Sequence, residues 1–265
     1  MRGLDVAEEI PLAIRYNGVP HAVMMGTPLD LEDFAIGFSI AEGIARDLDD
    51  LKSVAIGAED DGITVDIGLR PFALSKVLSR RRLRSLRGHT SCGICGVEDL
   101  AQLNIAPAPP LRTGRPIDRL ALGRALDRLR SLQPLAARTH AAHAAAWVDL
   151  AGTLVLVRED VGRHNALDKL VGAALRAQVD FAEGFCLITS RCSYEMAQKA
   201  VAAGIPALVA ISAPTALAIR TAKSAGLTLA TLDRDGGFFI YAAPEQPHGE
   251  VLKEHVHGTP SQTTV

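Results

Sequence analysis

The chain has few aromatic residues, few cysteines and almost no excess of either charge. Its formal net charge is −2 over 265 residues, which excludes binding to nucleic acid through an overall basic charge. No continuous apolar run of about 18 residues is present, so we expect no membrane-spanning helix. The first residues include Glu8 and Glu9 and lack the basic-then-apolar order of a secretory signal. We therefore expect a cytoplasmic protein. Since 48% of the residues are apolar, the composition is that of a folded globular chain.

Cysteine is scarce, and its placement is informative. Four cysteines in a chain of this length do not provide a disulfide framework, so we expect reduced thiols. Cys92 and Cys95 stand out because they form a Cys-x-x-Cys pair inside the glycine-containing stretch 88–96. Two thiols at this spacing can form a disulfide, bind a metal or carry sulfur as a persulfide.

A run of arginines precedes the two thiols: Arg80, Arg81, Arg82, Arg84 and Arg87. Positive charge favours the thiolate form of a cysteine and lowers its pKa. A short helix predicted from about residue 97 to 103 would direct its positive N-terminal end toward the same thiols. Two plainer interpretations stay open. The arginines also fit a solvated helix face, and the glycines also fit an ordinary turn.

Turn and cap residues organise the first part of the chain. Asn17-Gly18 predicts a hairpin of strands 9–15 and 19–25, and Asp61-Gly62 predicts a second hairpin of strands 51–58 and 63–67. Between the hairpins, Asp30 is predicted to cap a helix that continues to about Ala41.

A proline-rich stretch at 104–116, with four prolines and no periodicity, predicts a connection between two parts of the chain. We therefore expect an N-terminal subdomain over 1–104, a connection over 105–116, an α/β domain over 117–243 and a polar tail over 244–265. Asp118 is predicted to cap the first helix of the second part.

From Trp147 onward, strand-like and helical patterns alternate. The strand-like runs are 147–157, 185–189, 207–211, 227–232 and 238–241, and the helical runs are 165–178, 194–203 and 216–225. This alternation with short connections predicts an α/β fold class, with a largely parallel sheet covered by helices on its faces.

Polar clusters follow the predicted strands. Ligands of open α/β sheets collect beyond the carboxyl ends of the strands, and arginines, hydroxyls and helix N-terminal amides there suit a phosphorylated ligand. The candidate ligand residues are Arg158, Arg163, His164, Asn165, Ser190, Arg191, Ser212, Thr215, Asp233, Arg234, Asp235, Gly236 and Gly237. The alternative for Asn165, Ser193 or Thr215 taken singly is a helix cap.

Histidines offer two further candidates. His164 could donate to a phosphate, act as an acid or base near neutral pH, or only cap a helix. His140 and His143 could share one helix face as metal ligands, although such a pair is more often structural. A structural zinc site needs four ligands, and Cys186 and Cys192 have the wrong spacing to complete one. We therefore expect no metal site.

The chain resembles the FdhD/NarQ family, the formate dehydrogenase accessory sulfurtransferases. The resemblance is carried by Ser91–Gly96, by the long and specific motif Val157–Lys169, by Thr189–Arg191 and by Ile211–Thr215. It implies a three-layer α/β/α, cytidine-deaminase-like domain with a smaller N-terminal α+β subdomain, and a homodimer. At Thr139–His143 the chain departs from the family's usual Thr-Gly-Gly-x-His, because it has His140-Ala141.

The resemblance also implies an activity. The protein would accept sulfur from a cysteine desulfurase as a persulfide and transfer it to the molybdenum or tungsten bis-molybdopterin guanine dinucleotide cofactor of the formate dehydrogenase catalytic subunit. Cys92 aligns with the persulfide-bearing cysteine, and Leu232–Gly237 aligns with the cofactor-contacting segment. Cys95 would aid release of the sulfur or relay it. GDP is the expected mimic of the cofactor.

Other classes of protein compete with this interpretation. A thioredoxin-like oxidoreductase would place its Cys-x-x-Cys directly after the first strand of its sheet, whereas here the pair precedes the main sheet by about fifty residues. A zinc deaminase would need a proline directly before its Cys-x-x-Cys, where this chain has Ser91. A non-catalytic chaperone that only binds the cofactor stays open.

Overall fold

A computed structural model of the chain describes residues 5–85, 111–232 and 238–244. The strands in these ranges form a four-stranded and a six-stranded sheet. The seven α-helices there are α1 (Leu31–Ala41), α2 (Pro71–Ser85), α3 (Arg119–Leu129), α4 (Pro134–Thr139), α5 (Arg163–Arg176), α6 (Tyr194–Ala202) and α7 (Ala216–Ala225). The predicted short helix at 97–103 lies outside the described residues.

The four-stranded sheet consists of the two predicted hairpins. Its strands are β1 (Ile10–Tyr16), β2 (Val19–Gly26), β3 (Leu51–Glu59) and β4 (Gly62–Leu69), in the order β2-β1-β4-β3. β1 and β4 pair in parallel, and the two hairpin pairs are antiparallel. Asn17 and Gly18 have φ angles of 50° and 77°, the left-handed conformations that an Asn-Gly hairpin turn requires. Both hairpin predictions are confirmed.

The inner face of this sheet packs against α1 and α2. The buried side chains Leu12, Ile14, Val65 and Ile67 of the two central strands meet Phe34 and the rest of the apolar face of α1. The predicted start of α1 after Asp30 is confirmed, but the predicted cap is wrong. Asp30 has a left-handed φ of 52° and makes no side-chain hydrogen bond to the first turn, because its carboxylate turns toward Arg158, 3.7 Å away.

The six-stranded sheet is mixed rather than largely parallel. Its strands are β5 (His143–Asp149), β6 (Leu154–Asp160), β7 (Gly184–Ile188), β8 (Ala207–Ala210), β9 (Thr228–Leu232) and β10 (Phe238–Ala242), in the order β10-β9-β8-β7-β5-β6. β7, β8 and β9 pair in parallel, while β5 runs antiparallel to both β6 and β7, and β10 is antiparallel to β9.

The wrong prediction has a local cause. The stretch 147–157, interpreted as one strand region, contains a turn in which Gly152 has a φ of 86° and Thr153 donates its backbone N–H to Asp149 Oδ1, 2.8 Å away. The stretch is therefore a hairpin of β5 and β6. Since β5 opposes both of its neighbours, β6 points in the same direction as β7, β8 and β9.

Helices cover both faces of this sheet. α3 packs on one face through buried Leu122, Ala125 and Leu129, while α5, α6 and α7 pack on the other. Asp118 caps α3 as predicted, because its Oδ1 accepts the backbone N–H of Ala121 at 2.8 Å. The predicted fold class is confirmed as a three-layer α/β/α arrangement next to a smaller α+β part.

The two parts meet where α1 crosses α5. A Cβ atom added to Gly37 of α1 would lie 1.7 Å from the backbone oxygen of Asp168, and one added to Gly172 of α5 would lie 1.9 Å from the backbone oxygen of Asp33. Real Cβ atoms do not come this close to a backbone oxygen. The two helices are thus in direct backbone contact, which only glycine at both positions permits.

This crossing predicts a large effect of a single methyl group. We expect Gly172→Ala to lower the free energy of unfolding by about 3 kcal/mol or more, since overpacking must push two backbones apart. Gly123→Ala in α3 is the matched control. It meets open space and should stabilise the helix by up to about 1 kcal/mol. Urea unfolding of the parent and of both variants measures these changes. A free energy of unfolding of Gly172→Ala equal to that of the parent would show that α1 and α5 can separate without loss of stability.

Candidate functional site

The carboxyl ends of β6, β7, β8 and β9 lie at one edge of the six-stranded sheet, since these four strands run in the same direction. The predicted polar clusters 158–165, 189–193 and 212–215 follow the first three of these strands and therefore meet at this strand-end edge. An isolated bridge between Cys192 and Pro214 joins two of the clusters. Leu232 ends β9 at the same edge, and Asp233–Gly237 lie outside the described residues.

Several predicted ligand side chains at this edge are open to solvent. Arg191, Ser212 and Thr215 are exposed. Thr215 also caps α7, because its Oγ1 accepts the backbone N–H of Ala218 at 3.2 Å. Ser190 is buried, and its Oγ donates to the backbone oxygen of Arg191 at 3.0 Å. Ser190 therefore stabilises the loop after β7 from within the protein, whereas the other three side chains are accessible to solvent.

The first turn of α5 is a favourable place for an anion. It reads Arg163-His164-Asn165 after the N-cap residue Gly162, which has no side chain to cover the first amides. A cation at the positive end of a helix is unfavourable next to the helix dipole. The presence of Arg163 together with uncovered amides therefore suits a phosphate, which neutralises both. Arg163 and His164 are each partly buried.

His164 is paired with a residue that the sequence did not single out. Its Nε2 lies 3.0 Å from Oε2 of Glu195 in α6, and about a quarter of each side chain is exposed. Burial lowers the pKa of His164, the charge of Glu195 opposes this, and the charges of Arg163 and Lys199 lower the pKa further. The net direction is downward, so the imidazole is mainly neutral at pH 7.

Arg158 and Asn165 turn toward the N-terminal part of the chain. Arg158 Nε donates to Asp33 Oδ2 at 2.8 Å, and Arg176 of α5 binds the other oxygen of Asp33 at 2.7 Å. Asn165 is almost fully buried, and its Nδ2 donates to the backbone oxygen of Met25 at 2.8 Å. Their predicted role as cofactor ligands stays a prediction, whereas their contacts tie β6 and α5 to α1 and β2.

A buried ion pair lies beneath these residues. Lys169 Nζ is 2.6 Å from Asp160 Oδ2, and both side chains are fully buried. The same Lys169 donates to the backbone oxygen of Thr27 at 3.0 Å. The sequence carried a signal for this pair, because a lysine at the inner face of an otherwise apolar helix needs a partner.

A second buried cluster lies farther along α5. Lys199 of α6 binds Asp168 of α5 at 2.9 Å and Glu42 at 2.8 Å. Burial raises the pKa of Asp168 to about 7, although Lys199 opposes this shift. Burial acts to lower the pKa of Lys199, but the carboxylates of Asp168 and Glu42 raise it overall. The cluster joins α1, α5 and α6 below the strand-end edge.

The thiols separate into two kinds. Cys186 in β7 and Cys192 after it are buried. Burial raises the pKa of Cys192 to about 12 and that of Cys186 still further, so neither is a thiolate at neutral pH. Cys92 and Cys95 lie outside the described residues. They follow α2, whose C-terminal turns contain Arg80–Arg84.

Comparison with known proteins gives the family. The model of the FdhD/NarQ family matches residues 7–248. The chain belongs to the FdhD/NarQ family. A sulfur carrier protein FdhD of Xanthomonas campestris pv. campestris (strain B100) is 53% identical over 241 residues, which cover 91% of this chain and 85% of the relative. Another of Variovorax paradoxus (strain S110) is 47% identical over 244 residues, which cover 92% and 87%.

A solved structure supports the fold. A candidate formate dehydrogenase accessory protein from Desulfotalea psychrophila superposes with a TM-score of 0.70 at 23% identity, and the match covers 90% of this chain and 89% of that one. At this identity the likeness concerns the fold alone. It shows that this FdhD/NarQ chain has the fold of that protein.

The structure separates His140 from His143. His140 has a left-handed φ of 55° and ends α4, while His143 begins β5. The expectation that the two histidines share one helix face is therefore wrong. Glycine adopts the left-handed conformation without strain, whereas this chain places a histidine there.

Two further observations concern membrane-spanning helices and metal-binding groups. None of the helices within residues 5–85, 111–232 and 238–244 has the length and apolarity of a membrane span. Over those same residues, His, Cys, Asp and Glu side chains form no group of three or more that could hold a metal ion.

The lowered pKa of the partly buried His164 predicts a pH dependence of stability. Its pKa is lower in the folded chain than the ordinary value, so the unfolded chain takes up a proton first as the pH falls. We expect the parent protein to lose stability relative to His164→Gln between about pH 7 and pH 5. Urea unfolding of both proteins at several pH values measures this difference. Parallel stability curves would show that His164 titrates alike in both states.

Proposed function

We propose that the protein is a sulfurtransferase of formate dehydrogenase maturation. It receives sulfur from a cysteine desulfurase as a persulfide on Cys92 and transfers it to the molybdenum or tungsten bis-molybdopterin guanine dinucleotide cofactor, which is its substrate. The observation that carries the proposal is the match over most of the chain to proteins named as sulfur carriers, together with the Cys-x-x-Cys pair of this sequence.

The thiol inventory supports Cys92 and Cys95 as the carriers. A sulfur carrier must be a thiolate when it accepts sulfur and must be reachable by its donor. Cys186 and Cys192 are neither, because they are buried and burial raises their pKa. The remaining two cysteines follow a helix whose last turns carry arginines, and positive charge favours a thiolate.

The chemistry of release follows from the pair. Loading places one extra sulfur atom on Cys92 as Cys92–S–SH. The thiolate of Cys95 then attacks the inner sulfur of Cys92, the Cys92–Cys95 disulfide forms and the outer sulfur leaves as HS⁻. Alternatively, Cys95 attacks the outer sulfur and takes over the persulfide, and Cys92 leaves as a thiolate. Both routes conserve electrons within the two cysteines and the transferred sulfur.

The strand-end edge supports the binding part of the proposal. The uncovered amides at the start of α5, with Arg163 and His164 beside them, suit the pyrophosphate of a guanine nucleotide. The exposed Arg191, Ser212 and Thr215 lie at the same edge and offer further donors. GDP is the simplest mimic of one arm of the cofactor. The proposed protein partners are a cysteine desulfurase, the formate dehydrogenase catalytic subunit and a second copy of this chain.

Sulfur loading tests the proposal. The protein is incubated with a cysteine desulfurase and cysteine, and its mass is then measured by intact-protein mass spectrometry. We expect the parent and Cys95→Ala each to gain one sulfur atom. We expect Cys92→Ala to gain none. Cys95→Ala is the matched control, since it removes the other thiol of the same Cys-x-x-Cys pair. Loading of Cys92→Ala to the parental level would refute Cys92 as the carrier. Activation of formate dehydrogenase by Cys92→Ala would favour a non-catalytic chaperone.

A further inference from the structure

The Asp160–Lys169 pair does more than neutralise two buried charges. Asp160 Oδ2 accepts the backbone N–H of Thr27 at 3.0 Å, and Oδ1 accepts the backbone N–H of Gly162 at 2.8 Å. Lys169 donates to the backbone oxygen of Thr27 at 3.0 Å. One carboxylate and one ammonium group therefore hold both the loop after β2 and the turn that starts α5.

Further hydrogen bonds connect the same two segments. Asn165 Nδ2 bridges the backbone oxygen of Met25 at 2.8 Å and Asp160 Oδ1 at 3.1 Å. The backbone N–H of Val161 donates to Thr27 Oγ1 at 3.1 Å. A Cβ added to Gly26 would lie 2.9 Å from Asn165 Nδ2, so this glycine lets the loop approach. We call the contacts among Met25–Thr27, Asp160–Gly162, Asn165 and Lys169 the buried network.

Stability alone does not account for such a network. A buried ion pair usually contributes little more than well-packed apolar residues of the same volume, because desolvation of the charges offsets their attraction. Hydrogen bonds are directional, so a buried network in which donors and acceptors are paired fixes the relative geometry of the segments that it joins. Arg163 and His164 lie between Asp160 and Asn165 in the chain, so the network holds the first turn of α5 on both sides of them.

We propose that Asp160 and Lys169 are positioning residues, which hold Arg163 and His164 in place for a phosphorylated ligand and link its binding, through Thr27, to the N-terminal sheet. This inference rests on the proposed function, because it takes the strand-end edge as the ligand site. The link matters for sulfur transfer because Thr27 joins β2 to α1, and α1 packs under the sheet that precedes the cysteine pair in the chain.

The chain provides a matched control in its second buried cluster. Asp168 and Lys199 form a buried ion pair of the same chemistry, and Asp168 lies on the same helix as Lys169. Among the residues that the structure describes, the hydrogen bonds of this pair run to Glu42 and not to the loop after β2. Loss of this pair removes comparable buried charge while leaving the hydrogen bonds of the buried network in place. Because the charge of Lys199 also lowers the pKa of His164, GDP binding is compared at about pH 8, where an imidazole is neutral with or without that charge.

The experiment compares two double variants of the full chain, Asp160→Asn with Lys169→Met and Asp168→Asn with Lys199→Met. Each removes both charges of its pair. In the second variant Glu42 also loses its contact with Lys199, but about a third of the Glu42 side chain is exposed, so water can solvate that carboxylate. GDP affinity is measured by calorimetry at a temperature where circular dichroism shows both variants folded. We expect affinity to fall by about tenfold or more in the first variant and by less than about threefold in the second, since loss of positioning misplaces the ligand-contacting side chains.

Hydrogen exchange gives a readout that a purely structural role would not change. In the parent, GDP should slow exchange at the amides of Thr27 and Val161, because the ligand rigidifies the turn to which they are bonded. In the first double variant this slowing should disappear. Thr27→Val is a milder variant, which removes only the Oγ1 acceptor of the Val161 N–H. It tests the positioning role if the first double variant does not fold. We expect two- to threefold weaker GDP binding, about the effect of one lost hydrogen bond.

The outcomes separate this inference from the proposed function. Parental GDP affinity in the first double variant and in Thr27→Val, with GDP-dependent exchange unchanged, would overturn the positioning role alone. Equal losses of affinity in the two double variants would also overturn it, since they would reflect general destabilisation. No GDP binding by the parent protein would overturn the ligand site itself, and the positioning inference with it.

Discussion

The backbone contact between α1 and α5 is the constraint on which the rest of the structure depends. Gly37 and Gly172 let the two helices touch, and this contact joins the four-stranded sheet to the α/β/α layers. Because the helices are so close, acidic side chains near the crossing are cut off from water and need partners inside the protein. Asp33 takes two arginines, and Asp168 takes a lysine from α6.

These buried charges explain the long motif between Val157 and Lys169. The residues of this motif have two roles. Arg158, Asp160 and Lys169 contact the N-terminal part of the chain. Arg163 and His164 lie at the strand-end edge. One stretch of sequence thereby builds the strand-end edge and attaches it to the four-stranded sheet, which precedes α2 and the cysteine pair in the chain.

Local signals predicted local features well. Asn17-Gly18 specified a hairpin and Asp118 specified a cap, because both act through neighbouring backbone groups. The polar clusters after β6, β7 and β8 were also predicted to share an edge, and they do. The inward orientation of Arg158 and Asn165 was not predictable, because it depends on Asp33 and Met25, more than a hundred residues away in sequence. The prediction of one strand region at 147–157 was also wrong. A turn at the left-handed Gly152 divides that stretch into the antiparallel strands β5 and β6.

The central claim is that sulfur travels through this protein to formate dehydrogenase. In the most direct measurement, the purified protein is loaded with radiolabelled sulfur, and the desulfurase and free cysteine are removed. Formate dehydrogenase that is inactive because its cofactor lacks sulfur is then added. The account predicts that label appears in the dehydrogenase cofactor in proportion to the activity gained, and that excess unlabelled cysteine does not dilute it. Full activation without transfer of label would contradict the account.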